Sequence, residues 1–134
     1  MPLMSADAFE GTSLRAGEYA GSSLIVFTDA RKRMCAPCAS LNETLSSDDF
    51  MALHATWRAE GLLRVGKVHC TNPKKPENAE LCESFGIGGD TPDAAGYPNI
   101  RWFKGSAEAG GYDGERSVEG FRAWAASKKE SGEL

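Results

Sequence analysis

The chain has 134 residues, the length of one ordinary domain, and a net charge of -4. Its 41% hydrophobic and 25% charged residues are typical of a globular protein, and so mild a charge gives no reason to expect a nucleic acid or an anionic membrane as partner. No apolar run approaches the length of a membrane span, and no signal peptide is visible at the start of the sequence.

Apolar spacing in the first half predicts helices alternating with strands. The predicted elements are a short helix over 5–14, a strand over 24–28, helices over 35–45 and 49–59, and a strand over 62–69. The helix over 49–59 carries four residues at the spacing of one helical face, namely Phe50, Leu53, His54 and Trp57. This face is expected to pack into the core.

The second half continues the alternation. It is predicted to contain a short helix over 77–85, a loop over 86–96, a strand over 99–104, a turn over 105–111, an edge strand beginning at Tyr112, and a last helix capped by Ser117. Strands that alternate with helices favour an α/β fold with a central sheet and helices on both of its faces.

The segment Cys35-Ala36-Pro37-Cys38 follows a short loop after the first buried strand and opens a predicted helix. This layout is typical of a dithiol redox site. At a helix N-terminus the free backbone N–H groups and the helix dipole stabilise a thiolate, which is the form that carries out thiol–disulfide exchange. Pro37 suits the first helical turn, where a missing N–H has no consequence.

Two further cysteines, Cys70 and Cys82, are separated by eleven residues rich in polar and turn types. A disulfide here would stabilise the fold by roughly 3 kcal/mol in the chain-entropy model and would indicate an oxidising compartment. The alternatives are a second redox pair, two free thiols, or a zinc site built from all four cysteines. The spacing fits zinc poorly because zinc sites usually use two closely spaced pairs.

Taken in order, these motifs resemble the thioredoxin fold and, within it, the protein disulfide isomerase branch. Leu24–Phe27 resembles the strand that leads to the active site, and Cys35–Cys38 resembles the redox motif. Gly96–Ile100 looks like the segment that carries a cis-proline, and Tyr112–Arg116 looks like the start of the last helix. The resemblance covers nearly the whole chain and implies an α/β thioredoxin fold with a central mixed β-sheet and helices on both faces.

The resemblance also implies roles for the site residues. Cys35 would be the attacking nucleophile, partly exposed, and Cys38 the more buried resolving thiol. Pro98 would be cis and face Cys35, so that the backbone of Tyr97 could pair with an extended substrate. Cys70 and Cys82 look like the extra structural disulfide of some isomerase domains.

Several positions depart from the family pattern and bear on activity. The buried acid of the strand before the motif aligns with Val26, and Asp29 is the nearest candidate to replace it. Met34 stands where the family has an aromatic residue. Ala36 and Pro37 occupy the variable positions of the motif, and Pro37 replaces the histidine usual in isomerases, so the direction of exchange stays open.

Two features are open to a functional or a purely structural interpretation. Arg116 resembles an arginine that, in the isomerases, can approach the resolving cysteine and lower its pKa; the alternative is a solvated arginine at a helix end. Residues 88–95 form an insertion that should lie beside the substrate groove. We hypothesise that it shapes the choice of client, although a surface loop without a role is an equal alternative.

We therefore expect residues 1–134 to form a single thioredoxin-like domain, excised from a longer chain. The expected function is thiol–disulfide exchange on protein or peptide substrates in the endoplasmic reticulum lumen or another secretory compartment. An upstream oxidase or reductant is expected as a partner, the domain is expected to be monomeric, and no cofactor or metal is expected. The alternative is a client-binding or partner-binding module with little redox turnover.

Overall fold

The computed structural model describes residues 3–15, 21–29, 31, 35–88 and 96–134. Its strands are β1 (Leu3–Met4), β2 (Phe9–Glu10), β3 (Ser13–Leu14), β4 (Ser22–Thr28), β5 (Leu63–His69), β6 (Asn99–Lys104) and β7 (Ala107–Gly111). Its helices are α1 (Ala36–Leu45), α2 (Asp48–Ala59), α3 (Pro76–Ser84) and α4 (Val118–Glu130), with a 3-10 turn over Ala6–Ala8. Within these described ranges, no helix combines the length and the apolar character needed to cross a bilayer.

Five strands form one mixed sheet in the order β1-β5-β4-β6-β7. The strands β1, β5 and β4 run parallel, whereas β6 is antiparallel to both β4 and β7. All seven residues of β4 are buried because this strand has neighbours on both edges and layers on both faces. The predicted α/β sheet is confirmed, and its central strand is the one that leads to the cysteine motif.

Helices cover both faces of the sheet, as the alternation of elements predicted. Leu24 and Val26 of β4 point to a core shared with residues of α1, α2 and α4. Ile25 and Phe27 point to the opposite core, which contains residues of α3 and of the β2–β3 hairpin. Successive side chains of a strand point to opposite faces, so one buried strand serves both cores.

The N-termini of two helices are capped as their sequences indicate. The Ser47 hydroxyl accepts a hydrogen bond from the Phe50 N–H at 3.2 Å, and the Ser117 hydroxyl accepts one from the Gly120 N–H at 3.0 Å. These bonds satisfy N–H groups that have no partner within the helix. The predicted cap of the last helix is therefore confirmed.

Two predictions of local structure are wrong. Residues 5–14 do not form a helix, because Gly11, with φ of 60°, allows a tight turn that pairs Phe9 with Leu14 in a small hairpin. The edge strand is Ala107–Gly111 rather than a strand beginning at Tyr112. The small and polar residues of β7 do not alternate between apolar and polar types, as a half-buried strand would. The strand is defined by its pairing with β6.

Candidate active site

Cys35 and Cys38 form a disulfide at the N-terminus of α1. In the chain, α1 comes after the central strand β4 and the loop that follows this strand. Cys35 is the N-cap residue, and its Sγ accepts a hydrogen bond from the Cys38 N–H at 3.1 Å. Pro37 lies in the first turn of the helix. The sulfur of Cys35 therefore lies where the helix presents its unpaired N–H groups, which favour a negative charge.

The exposure of the two cysteines differs from the prediction. Cys35 is 7% exposed and Cys38 is 5% exposed, so both are buried, and Cys35 is not partly exposed as expected. The Cys35 sulfur lies 3.9 Å from the carbonyl oxygen of Tyr97, in the segment before β6. Ala36 and Pro37 are exposed instead and form the accessible part of the motif.

The Tyr97–Pro98 peptide bond is cis, and it lies beside the disulfide. The Sγ of Cys35 is 3.9 Å from the carbonyl oxygen of Tyr97. Pro98 is buried, whereas Tyr97 is partly exposed. The cysteine motif and the proline loop thus meet at one surface, although Cys35 and Tyr97 are 62 residues apart in sequence.

Arg116 is exposed beside the start of the last helix, and it also contacts the proline loop. Its Nη2 donates a hydrogen bond to the carbonyl oxygen of Pro98 at 2.9 Å. Its side chain also lines a shallow surface cavity beside α1 together with Pro37 and Thr44. Arg116 therefore joins the proline loop to the start of the last helix while part of the residue stays exposed to solvent.

Asp29, the residue directly after β4, is buried, and both oxygens of its carboxylate accept hydrogen bonds. Its carboxylate accepts hydrogen bonds from the backbone N–H of Arg31 at 2.9 Å, from the Arg31 guanidinium at 2.8 to 3.2 Å, and from the Thr71 hydroxyl at 2.6 Å. These bonds hold the pKa of Asp29 well below its ordinary value. Sequence analysis missed Arg31 and Thr71, although the Asp-x-Arg spacing is a signal for such a local bond.

A cavity of about 160 Å³, here called the Cys38 cavity, adjoins the disulfide. Its polar and charged lining comes from Thr28, Asp29, Asn42, Lys67 and His69, and its apolar lining includes Val26. The Lys67 Nζ donates a hydrogen bond to the Asn42 side-chain oxygen at 2.8 Å. Val26 is 2% exposed, so the position at which the family resemblance implies a buried acid is filled by an apolar side chain.

Several curated proteins resemble the chain in sequence, among them two disulfide isomerases. Protein disulfide-isomerase A3 of Gallus gallus is 32% identical over 66 residues, which are 49% of this chain and 11% of that protein. Protein disulfide isomerase-like 2-2 of Oryza sativa subsp. japonica is 30% identical over 86 residues, which are 63% of this chain and 19% of that protein. The chain thus spans less than a fifth of the length of these relatives. No protein-family model matches it.

Solved structures share the fold at lower identity. Human ERp44 in its zinc-bound form aligns with a TM-score of 0.69 and 14% identity, over 96% of this chain and 31% of that chain. The Trx4 domain of ERdj5 aligns with a TM-score of 0.61 and 18% identity, over 97% of this chain and 96% of that chain. The chain is a thioredoxin-fold domain related to the protein disulfide isomerase family.

A second disulfide of this thioredoxin-fold domain joins Cys70, just after β5, to Cys82 on α3. Both cysteines are buried in the core opposite α1, and their Cα atoms are 5.9 Å apart. Because each of the four cysteines is in a disulfide, none offers a thiolate to zinc in this state. In the part of the chain that the structure describes, no three histidine, cysteine or acidic residues are grouped as metal ligands.

The two histidines of the domain differ in their surroundings. His54 on α2 is buried, and its Nε2 accepts a hydrogen bond from the Val65 N–H at 3.0 Å. Burial, with a smaller effect of the Arg58 charge, lowers the pKa of His54 to about 4, so its role is structural and neutral. His69, at the end of β5, instead lines the Cys38 cavity, a placement that sequence analysis did not anticipate.

Only the first residue of the insertion over 88–95 is described. Gly88 has φ of 67°, and a side chain at this position would overlap the Tyr97 hydroxyl. Residues 89–95, like Met34, lie outside the described residues. The contact brings the start of the insertion next to Tyr97, while its role in client choice remains a hypothesis.

Proposed function

We propose that this domain exchanges thiols and disulfides with protein or peptide substrates through Cys35 and Cys38. The observation that supports this most directly is the position of the Cys35 sulfur. It accepts the Cys38 N–H at the start of α1 and lies 3.9 Å from the Tyr97 carbonyl, beside the cis-proline. The relatives' names, which describe disulfide isomerases, support the same assignment.

The exchange proceeds in two steps in the reducing direction. The Cys35 thiolate attacks one sulfur of a substrate disulfide, so that a mixed disulfide forms and the other substrate sulfur leaves as a thiolate. Cys38, as a thiolate, then attacks the Cys35 sulfur. The bond between Cys35 and Cys38 forms, the mixed disulfide breaks, and the second substrate thiolate leaves, which reduces the substrate by two electrons. Oxidation of a substrate dithiol follows the same steps in reverse.

The groove for the substrate is built on the proline loop. Tyr97 precedes the cis-proline, and its carbonyl faces the reacting sulfur, so an extended peptide can pair with this backbone. Arg116 holds the next carbonyl, that of Pro98, and acts as a positioning residue for the loop. Ala36 and Pro37, which are exposed beside the sulfur, adjust its reactivity and access.

We assign the domain to the endoplasmic reticulum lumen or another secretory compartment. The buried disulfide between Cys70 and Cys82 supports this placement because lasting disulfides form in oxidising compartments. Residues 1–134 act as one monomeric domain in this proposal, and an upstream oxidase or reductant restores the reactive pair. Thiol–disulfide exchange involves only sulfur atoms and protons, so the proposed reaction needs no cofactor.

A glutathione redox titration tests the proposal. The oxidised fraction of Cys35 and Cys38 is measured by thiol trapping and mass spectrometry across a range of glutathione ratios. A potential of about -180 mV would indicate an oxidase or isomerase, and one of about -270 mV a reductase. Cys70 and Cys82 serve as an internal control, because a structural disulfide stays oxidised over this range.

The Cys35→Ser variant separates catalysis from binding. In an insulin reduction assay with dithiothreitol, the wild type should accelerate the reaction and the variant should not. If the reactive pair does not cycle and the two proteins behave alike, the enzymatic proposal fails. The domain would then be a client-binding or partner-binding module that keeps the fold.

A further inference from the structure

The resolving step requires a proton acceptor, because the reacting form of Cys38 is the thiolate. Cys38 is 5% exposed, so bulk water has little access to its sulfur. Three ionisable side chains besides the cysteines line the Cys38 cavity, namely Asp29, Lys67 and His69. Their hydrogen bonds and charges decide which of them can take the proton.

Asp29 is a poor acceptor in this arrangement. Its carboxylate already receives hydrogen bonds from Arg31 and Thr71, and these hold its pKa far below the ordinary range. A carboxylate stabilised in this way has a low affinity for a proton. Protonation would also weaken the ion pair with Arg31, whose Nη2 is 2.8 Å from the carboxylate.

Lys67 is also unsuited to the role. Its Nζ donates a hydrogen bond to the side-chain oxygen of Asn42 at 2.8 Å. A lysine ammonium group has three donors and no lone pair, so it cannot receive a proton. Its positive charge can instead stabilise a thiolate that forms on Cys38 in the same cavity.

His69 has the required properties. It lies two residues after Lys67 on β5, and both side chains line the Cys38 cavity. Burial and the charge of Lys67 lower the pKa of His69, so its imidazole is neutral at pH 7. Within the described ranges, the imidazole makes no side-chain hydrogen bond, which leaves its lone pair available.

The charged groups around His69 come from three elements. Lys67 is on the same strand, Asp29 is at the end of β4, and Lys75, before α3, lines a second surface cavity that His69 also borders. Of these groups, the Lys67 cation disfavours protonation of the imidazole. Burial and the Lys67 charge therefore favour the neutral form of the imidazole.

We propose that His69 accepts the proton of the Cys38 thiol, directly or through one water molecule in the Cys38 cavity, during the resolving step. The inference rests on the proposed exchange function. The proton moves to the imidazole, the Cys38 thiolate attacks Cys35 and expels the substrate thiolate, and the imidazolium then returns the proton to solvent or to the departing thiolate. No other electron acceptor is needed, because the substrate disulfide is reduced.

Rapid-quench kinetics with oxidised glutathione test the assignment. The reduced protein is mixed with oxidised glutathione, quenched with acid, and analysed by mass spectrometry for the mixed disulfide on Cys35 and for the closed Cys35–Cys38 pair. In the His69→Gln variant, formation of the mixed disulfide should be unchanged, while resolution at pH 7 should slow about tenfold or more. The His54→Gln variant removes the other histidine and should resolve at the wild-type rate.

The outcomes separate the two proposals. If no mixed disulfide forms on Cys35 in the wild type, the exchange function itself fails. If the mixed disulfide forms and His69→Gln resolves it as fast as the wild type, the role of His69 is overturned. A His69→Glu variant supplies a different acceptor and should recover part of the rate.

The wild-type pH profile gives a test that does not depend on folding of a His69 variant. Protonation of His69 removes the acceptor, so the resolution rate should fall as the pH drops through the pKa of the imidazole. A Lys67→Met variant removes the neighbouring cation and should move this fall to a higher pH, by more in the protein that has His69 than in the His69→Gln variant, where only the effect of Lys67 on Cys38 remains. An equal shift with and without His69 would contradict the assignment.

Discussion

Val26 and Lys67 lie opposite each other on the two central parallel strands, and both line the cavity next to Cys38. Lys67 directs its ammonium group to Asn42, and Val26 contributes only an apolar surface. A carboxylate at position 26 would face both a cation and the resolving cysteine. Because position 26 carries no carboxylate, the acceptor that we propose for the Cys38 proton is another side chain of this cavity, His69.

The Val26→Asp variant should therefore accelerate the resolving step. The new carboxylate would pair with Lys67 and act as an additional proton acceptor for Cys38. Burial of the charge should lower the free energy of unfolding by about 2–4 kcal/mol. Quench kinetics and urea unfolding measure the two effects. Val26→Asn is the matched control, since it destabilises the core without adding a base and should give no acceleration.

The Asp29→Asn variant should lower the free energy of unfolding of the domain. The loss of the carboxylate removes the ion pair with Arg31 and weakens the bond from Thr71, at a cost of about 1–2 kcal/mol, because the Arg31 side chain is half exposed. The pKa of Asp29 is lowered in the folded state, so its contribution is present above pH 4 and is lost as the pH falls.

Urea unfolding at pH 7 and at acidic pH tests this prediction. The difference between the wild type and Asp29→Asn should shrink as the pH falls below 4. Glu43→Gln, which removes an exposed carboxylate on α1, should change the stability by less than about 0.5 kcal/mol. Equal stability of Asp29→Asn and the wild type at pH 7 would refute the anchoring role of Asp29.

His54 should make the domain less stable in mild acid. Its pKa of about 4 in the folded state lies below the ordinary value, so the folded state favours the neutral imidazole. The stabilisation is complete above pH 6.5 and declines as the pH falls towards 4, by about 1–2 kcal/mol at pH 5. His69 acts in the same direction, because its pKa is also lowered.

The His54→Gln variant isolates this contribution. A glutamine oxygen can accept the bond from the Val65 N–H but does not titrate, so the stability of the variant should depend less on pH between 6.5 and 4. Thermal or urea unfolding at half-unit pH steps measures the two slopes. Identical slopes for the variant and the wild type would show that His54 does not titrate on unfolding.

Removal of the second disulfide should affect stability and leave the exchange reaction intact. A double variant, Cys70→Ala with Cys82→Ala, opens the loop between β5 and α3 and should lose about 3 kcal/mol. Urea unfolding measures the loss, and the wild type with this disulfide reduced should resemble the variant. A loss of Cys35–Cys38 cycling in a folded variant would contradict a purely structural role.

Much of the fold could be predicted from the chain's local patterns. The buried run around Leu24–Phe27, the helix opened by Cys35 and the cap at Ser117 are signalled by nearby residues, and the structure confirms them. The β2–β3 hairpin escaped prediction, since its strands have two residues each and depend on a turn at Gly11. The pairing of β7 with β6 is a long-range property, which its own residues do not reveal.

Local sequence patterns were enough to identify the reactive groups: two cysteines at a helix start, a proline in a turn segment and a second cysteine pair. Three contacts are visible only in the folded structure. The Cys35 sulfur faces the Tyr97 carbonyl, Arg116 donates a hydrogen bond to the Pro98 carbonyl, and His69 lines the same cavity as Cys38. Neighbouring strands bring together residues that are distant in sequence, and burial then shifts the pKa of the ionisable side chains among them. Both effects depend on the assembled sheet, so no local pattern specifies them.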